Sequence, residues 1–283
     1  MSTVNVRENN LVLAFSEIGL DDRAEVGGKN SSLGHLYNVL RPQGISALDG
    51  FCTTAFAYQS FLNQGDLRKK LTRILSAIKP DEVETLEKAG EDARKAVLAT
   101  AFSLDLQAAL LKANAALRVR LGRNAALAVR SSATAEDLPS ASFAGQHESY
   151  LNVIDDEDLL KAVHKCFASL FTDRAIDYRT RQGFDQLGVS ISVGIQPMVR
   201  SDLASAGVAF TLDPETGFRN VVTVTGSYGL GEMIVQGTID PDEWVVFKPT
   251  LATAENAIVG RRRDGRQRRV PGSGTLVPAS GTR

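Results

Sequence analysis

The chain has little of what usually betrays a covalent framework or a metal-centred active site. Two cysteines, Cys52 and Cys166, occur among 283 residues. They are too few for a disulfide framework, so a reducing, cytoplasmic setting is expected. The three histidines, His35, His147 and His164, do not stand at metal-ligand spacing from Cys, Asp or Glu, and no Ser/His/Asp or Cys/His arrangement is suggested. No apolar run reaches the ~18 residues of a membrane span, and the opening residues Met1–Asn10 are polar rather than signal-like, so no membrane partner is expected. Both common nucleotide fingerprints also fail. Arg23 stands where a P-loop has its first glycine, Asn30 follows Lys29, and Gly229-Leu230-Gly231 lacks the third glycine of a dinucleotide turn.

What is present is an ordinary globular composition, 43% hydrophobic and 23% charged. At ~100–200 residues per domain, that is one large domain or two intimate ones. The net charge of −1 hides an asymmetry: residues 261–283 carry seven Arg against one Asp and are +6, which leaves −7 on the other 260. A nucleic-acid binder carries its basic charge on the folded body, so no nucleic-acid partner is expected. The segment from Arg261 is Arg-, Gly-, Ser-, Thr- and Pro-rich, shows neither structural period, and is expected to be a disordered basic tail.

Along the chain, Leu11–Phe15 reads as a short strand. Val26-Gly27-Gly28-Lys29-Asn30 is a tight glycine turn, with Ser31 expected to cap a helix bearing Leu33, Leu36, Tyr37 and Leu40. Pro42 and Gly44 close that helix, and Thr53/Thr54 open another. Residues 66–121 read as three helical stretches. Strands are expected at 125–129, 149–153, 189–199, 206–212, 221–225 and 243–247, with an amphipathic helix at 157–171 and a short helix within 228–235. Helices come first and strands later, joined by short links that favour antiparallel neighbours. The expected class is α+β, with a helix-rich part at about 20–122 and a strand-rich part at about 123–260.

Several segments offer phosphate or nucleotide chemistry, each with a plainer alternative. Lys29 on a double-glycine turn at a helix start brings amides and an ammonium together for a phosphate, or is a surface lysine. Arg130 leaves a buried strand into Ser131-Ser132-Ala133-Thr134, presenting a guanidinium fork and small hydroxyls to a polyphosphate. The small-residue run that follows, through Gly145 and Gln146, reads as a loop able to close over a ligand, or as a polar surface loop. Gln196-Pro197-Met198-Val199 ends an apolar strand whose backbone and Met198 suit an adenine ring, or is a strand end. Thr211, before the Asp213-Pro214 turn, suits a phosphate or simply a strand. Glu232, among four glycines of 226–237, suits a sugar hydroxyl or a metal, or is a solvated glutamate in a helix cap.

Taken together these blocks resemble the N-terminal nucleotide-binding domain of the phosphoenolpyruvate synthase (pyruvate, water dikinase) family. They are Val26–Gly34, Val129–Pro139 with Ser142–Gln146, Ala168–Ala175, Gln196–Val199, Ser201–Ser205, and Gly229–Glu232 with Asp240–Glu243. The resemblance runs from about Leu13 to Ile258, and related domains occur in pyruvate, phosphate dikinase and rifampicin phosphotransferase. It implies an ATP-grasp-like α+β fold. It also implies a kinase of the gluconeogenic direction, in which ATP, pyruvate and water give phosphoenolpyruvate, AMP and phosphate through a phosphohistidine on a separate domain.

Carried over residue by residue, the resemblance puts Lys29 and Arg130 on phosphates. Gly145 and Ser149 fall in the closing loop, Gln196, Met198 and Val199 at adenine, and Thr211 and Glu232 at the same nucleotide. It implies ATP and Mg²⁺ as cofactors. The family's Gln-x-Arg-Pro motif, its metal-ligating glutamate, its phosphohistidine domain and its pyruvate-binding barrel have no counterpart in these residues. The expectation is therefore a truncated domain, ending in out-of-frame or foreign sequence and inactive alone. Its alternatives are a non-catalytic nucleotide- or partner-binding fragment, or half the domain of a rifampicin phosphotransferase-like enzyme.

Overall fold

A computed structural model describes residues 9–79, 82–122, 125–134, 137–138, 141–142, 149–253, 257–262, 267–269 and 276–278. The chain divides into two compact units, Met1–Met198 and Val199–Arg283. In the first, the order is β1 (Val12–Ala14), α1 (Arg23–Leu40), β2 (Phe51–Thr53), α2 (Ala55–Leu62), α3 (Leu67–Leu75), α4 (Val83–Leu98) and α5 (Leu104–Leu121). There follow β3 (Leu127–Ala133), β4 (Asp137–Leu138), β5 (Ala141–Ser142), β6 (Ser149–Val153), α6 (Asp156–Ala168), α7 (Asp173–Arg181) and β7 (Ile191–Pro197). Five strands form one antiparallel sheet in the order β1-β2-β7-β3-β6. The α+β class expected from the helix-first, strand-later pattern is the one observed.

The sheet's two faces carry different chemistry because strand side chains alternate sides. Leu127 and Val129 of β3 and Ile191, Val193 and Ile195 of β7 enter the main core with α2, α4, α5 and α6. Aromatic residues are scarce in the chain but concentrated there. Phe61, Phe102 and Phe167 lie 5.3–5.7 Å apart, and Tyr58 meets Phe167 edge-on at 5.1 Å. The opposite face is narrower and is covered by α1, where Val26 joins Leu13, Phe15, Ile18 and Cys52 in a second, smaller core.

Local signals explain four of the helix starts. Thr54, Ser103, Asp155 and Thr172 accept hydrogen bonds from the backbone N–H groups of Ala57, Leu106, Asp158 and Ala175. Gly44, at φ 76°, ends the turn after α1. The expectation for Ser31 fails. Helix α1 already begins at Arg23 and breaks at Gly27 (φ 75°, ψ 163°), so Ser31 lies inside it and donates to Gly28 O at 3.0 Å. The block 168–175 serves the core. Ser169 Oγ donates to Cys166 O at 2.7 Å, and Arg94 Nη1 donates to Phe171 O at 2.8 Å and to Asp173 Oδ1 at 2.9 Å. Arg179 is fully buried, donates to Gln186 Oε1 at 2.8 Å and to Leu170 O, and is drawn down to about 10 by burial.

The second unit comprises β8 (Ser205–Phe210), β9 (Val221–Tyr228), α8 (Glu232–Val235), β10 (Asp242–Phe247), β11 (Ile258–Arg262), β12 (Gln267–Arg269) and β13 (Leu276–Pro278). Its main sheet is antiparallel in the order β11-β10-β9-β8, and β12 pairs with β13. The Asp213-Pro214 segment is a turn as expected. Asp213 Oδ2 accepts from Thr216 Oγ1 at 2.7 Å and Oδ1 from Glu215 N at 3.0 Å, bonds that hold its carboxyl below the usual range. Among the described residues, no helix is long and apolar enough to cross a membrane.

His164 of α6 sits half-buried between Phe61 and Phe102, its Nε2 2.8 Å from Val97 O. Burial lowers its pKa from the ordinary 6.5. The unfolded chain therefore takes the proton first, and stability present above pH 6.5 falls as the pH drops from there through the folded value. Glutamine at 164 can still donate to Val97 O but takes no proton. Urea denaturation from pH 7.5 to 5 is expected to show a shallower loss of stability in His164→Gln than in the native chain.

Candidate nucleotide site

The register of β3 determines what the α1 face of the first unit presents. Arg130 pairs with Gly194 of β7 on one side and with Ser149 of β6 on the other. Directly opposed residues project to the same face, so Arg130 and Ser149 stand together, both exposed. Gln196 lies two residues beyond Gly194 on this face, opposite Ala128 and 6% exposed. Met198 follows half-buried, its N–H donating to Ala126 O at 2.8 Å.

Helix α1 is fastened to this same face. Asn30 is 2% exposed; its Nδ2 donates to Ser192 Oγ at 2.8 Å, and its backbone N–H meets Ser132 Oγ at 3.5 Å. Ser192 Oγ donates to Thr53 O at 2.5 Å, and Val193 N–H donates to Thr53 Oγ1 at 2.9 Å. Two glycines make the approach possible. A Cβ on Gly194 would lie 2.2 Å from Asn30 Oδ1, and one on Gly27 would lie 2.3 Å from Ser132 Oγ. Lys29, exposed and adjacent to Asn30, belongs to the helix that covers the sheet face carrying Arg130. Cys52, beneath α1, is held as a thiol by burial and by the acidic Glu25, Asp22 and Glu17, which outweigh its bond with Ser192.

The remaining expected residues are placed differently. Gly145 lies outside the described residues. Val199 opens the second unit and is 56% exposed. In that unit Thr211 follows β8, and its carbonyl accepts from Lys248 Nζ at 2.5 Å. Glu232 begins α8 and accepts from Gln236 Nε2 at 3.0 Å. Gly231 packs against Ala206 near the start of β8. At ~3.3 Å per strand residue, Thr211 and Glu232 are thus ~15 Å apart, toward opposite ends of that strand. Sequence reasoning missed Asn30, Ser132, Ser192, Thr53 and Gly194 as the fastening of the turn. The readable signal was Gly194 inside an apolar strand, where glycine marks a close approach.

A sheet face bearing an arginine and small hydroxyls, covered by a helix with a lysine just after its kink, has the chemistry of a polyphosphate-binding α+β domain. Residues 23–271 match the family described as pyruvate phosphate dikinase, AMP/ATP-binding domain, and the chain belongs to that family. It is 48% identical over 266 residues to phosphoenolpyruvate synthase of Synechocystis sp., covering 92% of this chain and 32% of that protein. To phosphoenolpyruvate synthase of Escherichia coli it is 49% identical over 251 residues, covering 89% and 32%. To rifampicin phosphotransferase of Bacillus cereus it is 39% identical over 266 residues, covering 92% and 30%. The chain spans about a third of the length of these relatives.

Alanine at Gly27 would meet both the left-handed backbone and the Ser132 contact, so Gly27→Ala is expected to cost about 2 kcal/mol or more. At Gly19 a Cβ would meet nothing within 4 Å, and Gly19→Ala is expected to stay within about 0.5 kcal/mol of the native chain. Urea denaturation of the two variants checks the contrast.

Proposed function

We propose that this chain is the ATP-binding part of a dikinase of the phosphoenolpyruvate synthase kind. Its phosphate grip is formed by Lys29 and Arg130. What supports the reading is that Arg130, paired with Gly194 and Ser149, stands on the sheet face covered by α1, the helix that carries Lys29 and is fastened there by Asn30. Phosphoryl transfer rests mainly on positioning and on neutralising charge, which an ammonium and a guanidinium fork supply directly. Gly145 and Ser149 would belong to the segment that closes over the phosphates. Gln196, Met198 and Val199 would meet the adenine. Thr211 and Glu232, separated along β8, would serve different parts of the nucleotide, a phosphate and a sugar hydroxyl.

The complete reaction of such an enzyme takes ATP, pyruvate and water to phosphoenolpyruvate, AMP and phosphate. ATP first pyrophosphorylates a histidine, releasing AMP; water then cleaves the phosphoanhydride to release phosphate, and the remaining phosphoryl passes to pyruvate. The histidine and the pyruvate site would be supplied by further domains, which are this chain's proposed partners. Alone it would bind ATP without turning it over. Among the described residues no group of His, Cys, Asp or Glu is placed to hold a metal ion, so no residue is assigned to Mg²⁺ and no step here is routed through a metal. Two buried cysteine thiols support a cytoplasmic setting. The 39% identity to a rifampicin phosphotransferase supports a second reading, in which the final phosphoryl acceptor is an antibiotic hydroxyl.

Calorimetric titration with ATP tests the grip. The native chain is expected to give binding heat that Arg130→Ala abolishes, whereas an unchanged isotherm means the nucleotide lies elsewhere. Isotope exchange between ATP and AMP plus phosphate is expected to be absent in this chain alone.

A further inference from the structure

We infer that Asn30 is a positioning residue of the nucleotide site, acting through Lys29 to set where its ammonium meets a polyphosphate. The inference rests on the reading of Lys29 as a phosphate-holding group and adds the residue that aims it. Asn30 is buried and directs its side chain to the sheet rather than to α1. Asn30 links α1 to three strands: Nδ2 donates to Ser192 of β7, whose hydroxyl donates to Thr53 O of β2, while the Asn30 backbone N–H meets Ser132 of β3.

The donor is specified by its partner. Ser192 has one hydroxyl hydrogen and commits it to Thr53 O, so it can only accept from residue 30. An aspartate of the same shape would set a carboxylate against that lone pair. The Oδ1 side is specified by shape, since it occupies the space that a Cβ on Gly194 would need, 2.2 Å away. Gly194 is also the residue paired with Arg130. The contact that seats Lys29 therefore lies one strand spacing from the arginine, and a shift at Asn30 changes the separation of the two cations. An apolar residue would bury area at position 30 but would not fix this register, because a satisfied polar network selects one arrangement.

The test measures ATP and adenosine affinities of the full chain and takes their ratio. Partial unfolding lowers both apparent affinities by the same fraction, so the ratio reports phosphate recognition even in a destabilised variant. Asn30→Ala and Asn30→Asp are expected to lower the ratio about tenfold or more, the worth of one charged hydrogen bond, with adenosine binding in the folded molecules unchanged. Neither is expected to lower it further in a Lys29→Ala background. Gly194→Ala, which evicts Oδ1 without removing any polar group, is expected to lower the ratio in the native background and not in Asn30→Ala. Equal losses for ATP and adenosine, or an Asn30 effect that adds to that of Lys29→Ala, overturn the positioning role while leaving the phosphate reading intact. A native ratio that Lys29→Ala does not change overturns the phosphate reading, and this inference with it.

Discussion

The organisation of the first unit turns on one polar contact placed in an otherwise apolar sandwich, the amide of Asn30 lying between Ser192 and Gly194. Burying an amide is costly unless its hydrogen-bonding groups are matched. The contact therefore holds in one register of α1 on the sheet and penalises its neighbours. Two features of that face accord with the register: the break at Gly27 over Ser132 and the seat of Val26 in the small core.

The two faces of the sheet divide the work. The broad face buries aliphatic and aromatic side chains under α2, α4, α5 and α6 and supplies the apolar burial that makes the fold stable. The narrow face carries serines, glycine, glutamine and arginine, residue types that stabilise little but approach a backbone or an anion closely. A strand such as β7 serves both, with Ile191, Val193 and Ile195 turned one way and Ser192, Gly194 and Gln196 the other. Membership of the pyruvate phosphate dikinase AMP/ATP-binding family accords with this division, because a nucleotide needs a rigid polar face supported from behind.

Much of the element pattern was readable from the residues. The three helical stretches between 66 and 121, strand β6, the Asp213-Pro214 turn and the antiparallel pairing follow from periodicity, caps and short links, all local properties. The start of α1 was misread because Ser31 has the composition of a cap, while the break is made by Gly27, whose positive φ depends on Ser132, more than a hundred residues away. The helix α7 passed unnoticed as an element: its apolar side is short, and its buried arginine looks like a surface residue until its partners are known.

The same distinction holds for the site. Composition and motif chemistry determined which residue types were available for a phosphate: a lysine on glycines, an arginine at a strand exit, a glutamine and methionine at a strand end. They also disfavoured zinc, triad and P-loop chemistry. Only the tertiary structure decided that α1, the helix of Lys29, covers the sheet face of Arg130, and that Thr211 and Glu232 stand toward different ends of β8. It alone revealed the amide that holds α1 down. Residue type is a property of one position, whereas facing depends on strand register and helix seating, which are settled by contacts between segments far apart in the chain.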